Sequence, residues 1–206
     1  MGKTIFNWIN VDWKRVKNHC RTTDNKDFTE LEPSEEFKRK LAISEHTPIR
    51  LIEFDWSWKS IKYWVSTEWS RHKFEKFISS QRNDRQDKYD RNAARQDAPV
   101  NFDGQANMQN LIDSWRKRLC FKVTNEAREL AEDFKKELYS VDQIVSDVLV
   151  PNCIYRCGCP EFTTCGYWNK FKEAVAEYGD LSKLDDIQYR YNFYNLYFWG
   201  ELTRNE

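Results

Sequence analysis

The sequence predicts an α+β domain, on three observations. A run at 49–58 alternates apolar and polar residues, and a stretch at 104–139 places apolar residues near a 3.6-residue period. The chain has 206 residues, 40% of them hydrophobic, which is enough for one substantial core. The strand signal follows Pro48, where Ile49, Leu51, Glu53 and Asp55 alternate with Arg50, Ile52, Phe54 and Trp56. The helix signal consists of Leu111, Trp115, Leu119, Ala127, Leu130, Ala131, Phe134 and Leu138, with a break expected around 121–124.

The remaining elements follow in order. Residues 1–45 read as helical patches: Asp12 is placed to cap a short helix through Lys17, and Ser34 ahead of Glu35, Glu36 and Phe37 marks a second start. Ser60 reads as the cap of a helix carrying Ile61, Trp64, Val65 and Glu68 to about His72. From Phe74 to Val100 the chain is polar. Gln81 to Asp97 lacks a period, so it is either a surface loop or one that orders around an anion or flavin. A helix from Val141 to Val150 should stop at Pro151, and after a cysteine-rich turn another should run from Tyr167 to Tyr178. The aromatic tail, Ile187 to Trp199, reads as packing or a subunit interface.

Bulk properties exclude several classes. Basic and acidic residues balance at 33 each, which argues against a coat for a nucleic-acid polymer. No run of about 18 apolar residues exists, so no membrane span is expected. Met1 to Asn10 lacks a signal-peptide core, so the six cysteines are expected as reduced thiols in a cytoplasm. The six glycines form no Gly-x-Gly, which removes the dinucleotide fingerprint and the P-loop. Nine Trp could build a core or stack on flat heterocycles.

Three clusters carry possible chemistry. Glu68, Arg71 and His72 have the spacing of one helix face, either a solvated ion-paired surface or a grip on a nucleotide or flavin edge. Ser80, Gln81 and Arg82 offer a hydroxyl, backbone N–H groups and a guanidinium to a phosphate. Asn107 and Arg118 are spaced to lie on one helical stripe with Leu111 and Ser114 between them, about 16 Å apart by helix rise.

The wording of these segments resembles the flavin-dependent thymidylate synthases. Arg118-Leu119-Cys120-Phe121-Lys122-Val123-Thr124-Asn125-Glu126-Ala127-Arg128 is similar to that family's Arg-Leu-Cys-x-Arg-Ala-Gln-Trp-Glu-Ile-Arg. Asn107-Met108-Gln109 matches its Asn-x-Arg, Arg71-His72-Lys73 its Arg-His-Arg, and Ser80-Gln81-Arg82 its Ser-x-Arg. His46-Thr47-Pro48 and the run Cys153, Cys159-Pro160-Glu161, Cys165-Gly166 also have counterparts, in the same order, over residues 44–166.

The resemblance implies a central antiparallel sheet packed with long helices over residues 1–166, with 167–206 as a C-terminal extension on the domain or at a subunit interface. It implies reductive methylation of dUMP to dTMP with FAD as cofactor and NADPH and methylenetetrahydrofolate as co-substrates, in a homotetramer whose sites are shared between subunits. By position, Arg71, His72, Lys73 and Asn107 would contact FAD. Glu68, Arg71, Ser80, Gln81, Arg82 and Arg118 would hold dUMP, with Arg118 and Ser80 at the reacting ring. Reduced flavin supplies the hydride in that family, so no cysteine is nominated as nucleophile. This chain departs from the pattern: the loop from Lys73 to Ser80 is one residue shorter, and Gln109 stands for an arginine. Two alternatives accompany the reading. One is a divergent homologue that acts on another pyrimidine nucleotide or is inactive. The other is a zinc-binding interaction module of Cys153, Cys157, Cys159 and Cys165, although its Cys-x3-Cys-x-Cys-x5-Cys spacing is not the paired Cys-x2-Cys of structural zinc.

Overall fold

The computed structural model describes residues 2–85 and 89–202. The part of the 81–97 loop at 86–88 therefore lies outside the described residues. Four antiparallel strands, β1 (Thr4–Asn10), β2 (Glu53–Lys62), β3 (Glu75–Ile78) and β4 (Pro99–Asn107), form one sheet in the order β1-β2-β4-β3. Helices α1 (Trp13–Thr23) and α2 (Glu35–Ile43) precede β2, and α3 (Tyr63–Trp69) links β2 to β3. After β4 come α4 (Met108–Arg118), α5 (Asn125–Val141), α6 (Gln143–Asp147), α7 (Asn152–Tyr155), α8 (Tyr167–Tyr178) and α9 (Ile187–Trp199). This is the expected α+β fold.

One face of the sheet is the core. Phe54, Trp56, Trp58 and Phe102 point inward and meet Trp69 of α3, Trp115 of α4 and Phe134 of α5. Trp56 sits at the centre, with ring centroids 5.1 Å from Phe134, 5.2 Å from Phe74 and 5.9 Å from Trp115. Trp56, Trp58, Trp69 and Trp115 are fully buried, so these four indoles are core and not a platform for a ligand.

Several expectations are corrected. Residues 4–10 form a strand, not a helical patch; the pairing of β1 with β2 shifts between Phe6 and Trp8, which breaks the alternation that would have revealed it. The run after Pro48 begins as a 3-10 turn (Thr47–Leu51), and the strand proper runs from Glu53 to Lys62. Ser60 caps no helix. It sits at φ 56° where the β2–β4 pairing shifts, and its N–H donates to Asn101 Oδ1 at 3.2 Å. The helix expected from Gly104 begins only at Met108, because Pro99–Asn107 is strand β4. There Gly104 pairs with Trp56, and a Cβ on Gly104 would lie 2.3 Å from the Trp56 ring. Glycine at 104 and alanine at 106 make room for the indole and thereby mute the apolar alternation of the strand.

Other expectations match. Asp12 caps α1 through the N–H of Arg15, and Ser34 caps α2 through that of Phe37. The break at 121–124 separates α4 from α5. Of the aromatic tail, Tyr191, Phe193 and Tyr194 are buried while Leu196 and Tyr197 are exposed. Arg190 fastens α9 to the domain by donating to the carbonyls of Ile154, Tyr155 and Leu184.

Candidate functional site

Arg118 ends α4 and is only 9% exposed. Its Nε–H donates to Nε2 of His72 at 2.6 Å, Nη1 to the Glu68 carboxylate at 3.0 Å, and Nη2 to the Glu68 carbonyl. For Nε2 to accept, the imidazole must be neutral with its proton on Nδ1. Burial pushes the His72 pKa down to about 4, and the charges of Arg118, Lys117 and Lys76 push the same way. Burial also lowers the Arg118 pKa, a change that the Glu68 carboxylate opposes. α3 stops at Trp69, so Arg71 and His72 lie in the turn beyond it and do not share a helix face with Glu68, as their spacing had suggested. The turn nonetheless brings Glu68, His72 and Arg118 into one hydrogen-bonded group.

His72 also fronts two adjoining clefts, while Glu68 and Arg118 stand behind it and line neither. The first, about 300 Å³, is walled by Arg71, His72 and Lys73, by Asn110, Asp113, Ser114, Arg116 and Lys117 of α4, and by Asn152, Tyr155 and Arg156 at α7. The second, about 550 Å³, shares His72, Lys73 and Asn110 and adds Asn107, Gln105 and Glu53. All four flavin candidates, Arg71, His72, Lys73 and Asn107, therefore line this pair of clefts. Asn107 is the N-cap of α4, accepting from the Asn110 N–H at 3.0 Å, and not a residue within the helix. The stripe between it and Arg118 is inward, with Leu111 and Ser114 both buried.

The phosphate-loop candidates are elsewhere. Glu75 pairs with Gln105 near His72, but β3 runs away from it, and Ser79 is bonded to Asn101 at the other end of β4. Ser80, Gln81 and Arg82 follow Ser79 beyond the end of β3 and line neither cleft. Arg82 turns back on Asp84 with bonds of 2.9 and 2.5 Å. Within one chain these residues do not join the Glu68–His72–Arg118 group.

The structure adds residues that the motifs did not single out. Arg116 is buried, bonded to both carboxylate oxygens of Glu45, and stacked 3.5 Å over the Tyr155 ring. Gln109 is tied to the same carboxylate at 2.7 Å. Lys117 and Arg156 add two cations to the first cleft. Lys117 was discernible only as part of the Arg116-Lys117-Arg118 run, and Arg156 was masked by the cysteines around it.

Among the described residues, no group of three His, Cys, Asp or Glu is placed to hold a metal ion. Cys157 turns away toward the Leu184 carbonyl, 3.4 Å off. Burial pushes the Cys153 thiol up to about 12, with the neighbouring thiols Cys120, Cys159 and Cys165 adding to it, and burial raises Cys120 as well. Neither is an activated thiolate. A larger groove, about 660 Å³, lies between α2, α6 and α9, but its charges pair internally, Arg39 with Asp147 at 2.9 Å and Lys40 with Glu36 at 2.6 Å. It offers an anion no uncompensated charge, so size alone does not make it the site. Among the described residues no helix is long and apolar enough to cross a membrane.

No family profile matches the sequence, and no curated protein matches it. Solved structures do. The flavin-dependent thymidylate synthase ThyX of Helicobacter pylori, complexed with FAD and dUMP, superposes with a TM-score of 0.60 at 11% identity over 72% of this chain and 99% of that one. Another structure of the same enzyme, also with FAD and dUMP, gives 0.58 at 10% identity over 69% and 97%. The fold is that of the flavin-dependent thymidylate synthases. PolB of Streptomyces cacaoi, a UMP/dUMP methylase bound with 5-Br dUMP, shares this thymidylate synthase fold with a TM-score of 0.58 at 10% identity over 70% and 93%. At such identity the likeness establishes architecture; the assignment of chemistry rests on the residues.

Proposed function

We propose that this chain is a flavin-dependent methylase of dUMP, producing dTMP with methylenetetrahydrofolate and NADPH as co-substrates. The observation that carries the reading is the meeting of Glu68, His72 and Arg118 beside two adjoining clefts, one lined by Arg71 and Lys73 and the other by Lys73 and Asn107, on a fold whose solved neighbours hold FAD and dUMP. The cleft suits a phosphate-bearing flavin because its walls are cationic and hydrogen-bonding. Arg71, His72, Lys73 and Asn107 are the residues that would hold it. Bound reduced flavin supplies a hydride, so the pyrimidine needs no protein thiol, which accords with the protonated state of Cys120 and Cys153.

In this reading Arg118 binds and polarises the uracil. Three of its five N–H groups are used by His72 and Glu68, and one on each terminal nitrogen remains for a pyrimidine carbonyl. Glu68 fixes the guanidinium, and neutral His72 presents an imidazole that does not repel a cation. Ser80, Gln81 and Arg82, remote within the chain, would serve the site of a partner copy in a homotetramer, with Ser80 near the reacting ring. A divergent homologue without this activity is the second reading, favoured by the pairing of Arg82 with Asp84, which occupies the guanidinium expected to meet the dUMP phosphate.

The test is to load purified protein with FAD and follow flavin bleaching anaerobically with NADPH, with and without dUMP. Faster bleaching with dUMP, lost in Arg118→Ala, supports the proposal; absence of FAD binding, or bleaching indifferent to dUMP, refutes it.

A further inference from the structure

The first cleft carries more positive charge than its own residues compensate. Arg71, Lys73, Arg116, Lys117 and Arg156 line it, against the single carboxylate of Asp113. Arg116 is answered by Glu45, and Asp113 lies 3.9 Å from that same guanidinium. Among the described residues, Arg71, Lys73, Lys117 and Arg156 have no carboxylate within ion-pair distance. Three separate elements thus aim four unpaired cations at one cavity of about 300 Å³. Their field is felt at its edge: Lys117 helps to depress the His72 pKa and Arg71 that of Arg118. Like charges gathered in this way repel one another, and an anion of matching charge reverses the sign of the interaction.

The back wall is built to hold these cations in place. Asn152 Oδ1 accepts from Arg156 Nε at 3.1 Å, which anchors the inner edge of the guanidinium and leaves its two terminal nitrogens for a ligand. Tyr155 is fixed beneath Arg116 at 3.5 Å, and Arg116 is more than nine-tenths buried with its Nε–H lacking a partner in the described structure. The short helix α7 therefore delivers Asn152, Tyr155 and Arg156 to the cleft. That gives the cysteine-rich segment a role that its thiols did not suggest.

We propose that Lys117 and Arg156, lining this cleft together with Arg71 and Lys73, clamp the diphosphate bridge of a dinucleotide. Four cations match two linked phosphate groups better than one, and the forked guanidinium of Arg156 suits phosphate oxygens. The assignment rests on the flavin reading of the site and adds to it a preference for the dinucleotide over flavins without a diphosphate.

The experiment measures FAD and riboflavin affinity of the full chain by flavin fluorescence at several salt concentrations, in wild type, Lys117→Ala, Arg156→Ala and Arg156→Lys. Both mutated side chains are exposed, so the alanine variants should fold. Each alanine variant should lose about tenfold or more in FAD affinity and show a weaker salt dependence, with riboflavin affinity unchanged and partial recovery in Arg156→Lys. Unchanged FAD affinity in both alanine variants, or equal loss of riboflavin, would overturn the clamp while leaving the flavin reading intact. If wild type binds no flavin, the flavin reading falls, and inorganic pyrophosphate tests the clamp by itself. Pyrophosphate binding that disappears in Arg156→Ala supports a diphosphate site, and its absence in wild type overturns it.

Discussion

Lys135 is completely buried in α5, and its ammonium donates to the Ser146 carbonyl at 2.6 Å under the rings of Tyr194 and Phe198. The nearby carboxylate of Asp147 is already bonded to Arg39. Burial lowers the Lys135 pKa from 10.5 to about 7, with Asp147 resisting. A lysine with a depressed folded-state pKa destabilises the fold fully below that pKa, and the cost is relieved as pH rises from about 7 to 10.5, where the unfolded chain still holds the proton and the folded chain does not. The cost changes by about 1.4 kcal/mol per pH unit in that window, so the protein should gain about 2 kcal/mol from pH 7 to pH 9 through this residue alone. Lys135→Met removes the titration while filling similar volume; it also removes one hydrogen bond to the Ser146 carbonyl, which keeps the Leu149 N–H at 3.0 Å, at a cost of about 0.5–1.5 kcal/mol that does not vary with pH. Urea denaturation of both proteins at pH 7 and pH 9 isolates the effect, because every other titrating group is common to both. Wild type should rise by about 2 kcal/mol relative to the variant. An equal pH dependence in the two proteins would show that Lys135 keeps its ordinary pKa, and that the enclosure described above is wrong.

Two further predictions concern the site and the sheet. An NMR titration should find the His72 ring neutral down to about pH 4. Arg118→Ala should move that midpoint upward yet keep it below 6.5, since burial is the larger cause; because the folded pKa is depressed, His72 works against stability as pH falls from 6.5 through 4. A wild-type midpoint near 6.5 would contradict the bond from Arg118. Gly104→Ala should cost about 1–3 kcal/mol by thermal or urea unfolding, because its methyl would enter the Trp56 ring; a loss below about 0.5 kcal/mol would mean that the indole can move aside.

Much of the helical frame was legible in the sequence because its signals are local. The caps Asp12 and Ser34, the break after Leu119, and the start of α8 at Tyr167 are each decided by a few neighbouring residues. Three of the four strands were not, since their identity depends on pairing partners distant in the chain. β4 hides its alternation because Gly104 and Ala106 yield space to Trp56, and β3 is four residues within a polar stretch.

The candidate site divides in the same way. The residue types at 68–73, 107 and 118 could be read as nucleotide or flavin chemistry from their order and wording alone. Only the tertiary structure decided that Glu68, His72 and Arg118 share one hydrogen-bond network, that Ser80–Arg82 stands at the far end of β3, and that Lys117 and Arg156 face the same cleft. A sequence specifies which charges exist and how the nearby backbone folds. How far apart those charges stand, and how much water separates them, is set by the packing of elements remote in the chain, and that distance and dielectric decide whether a group is paired, neutral or left to meet a ligand.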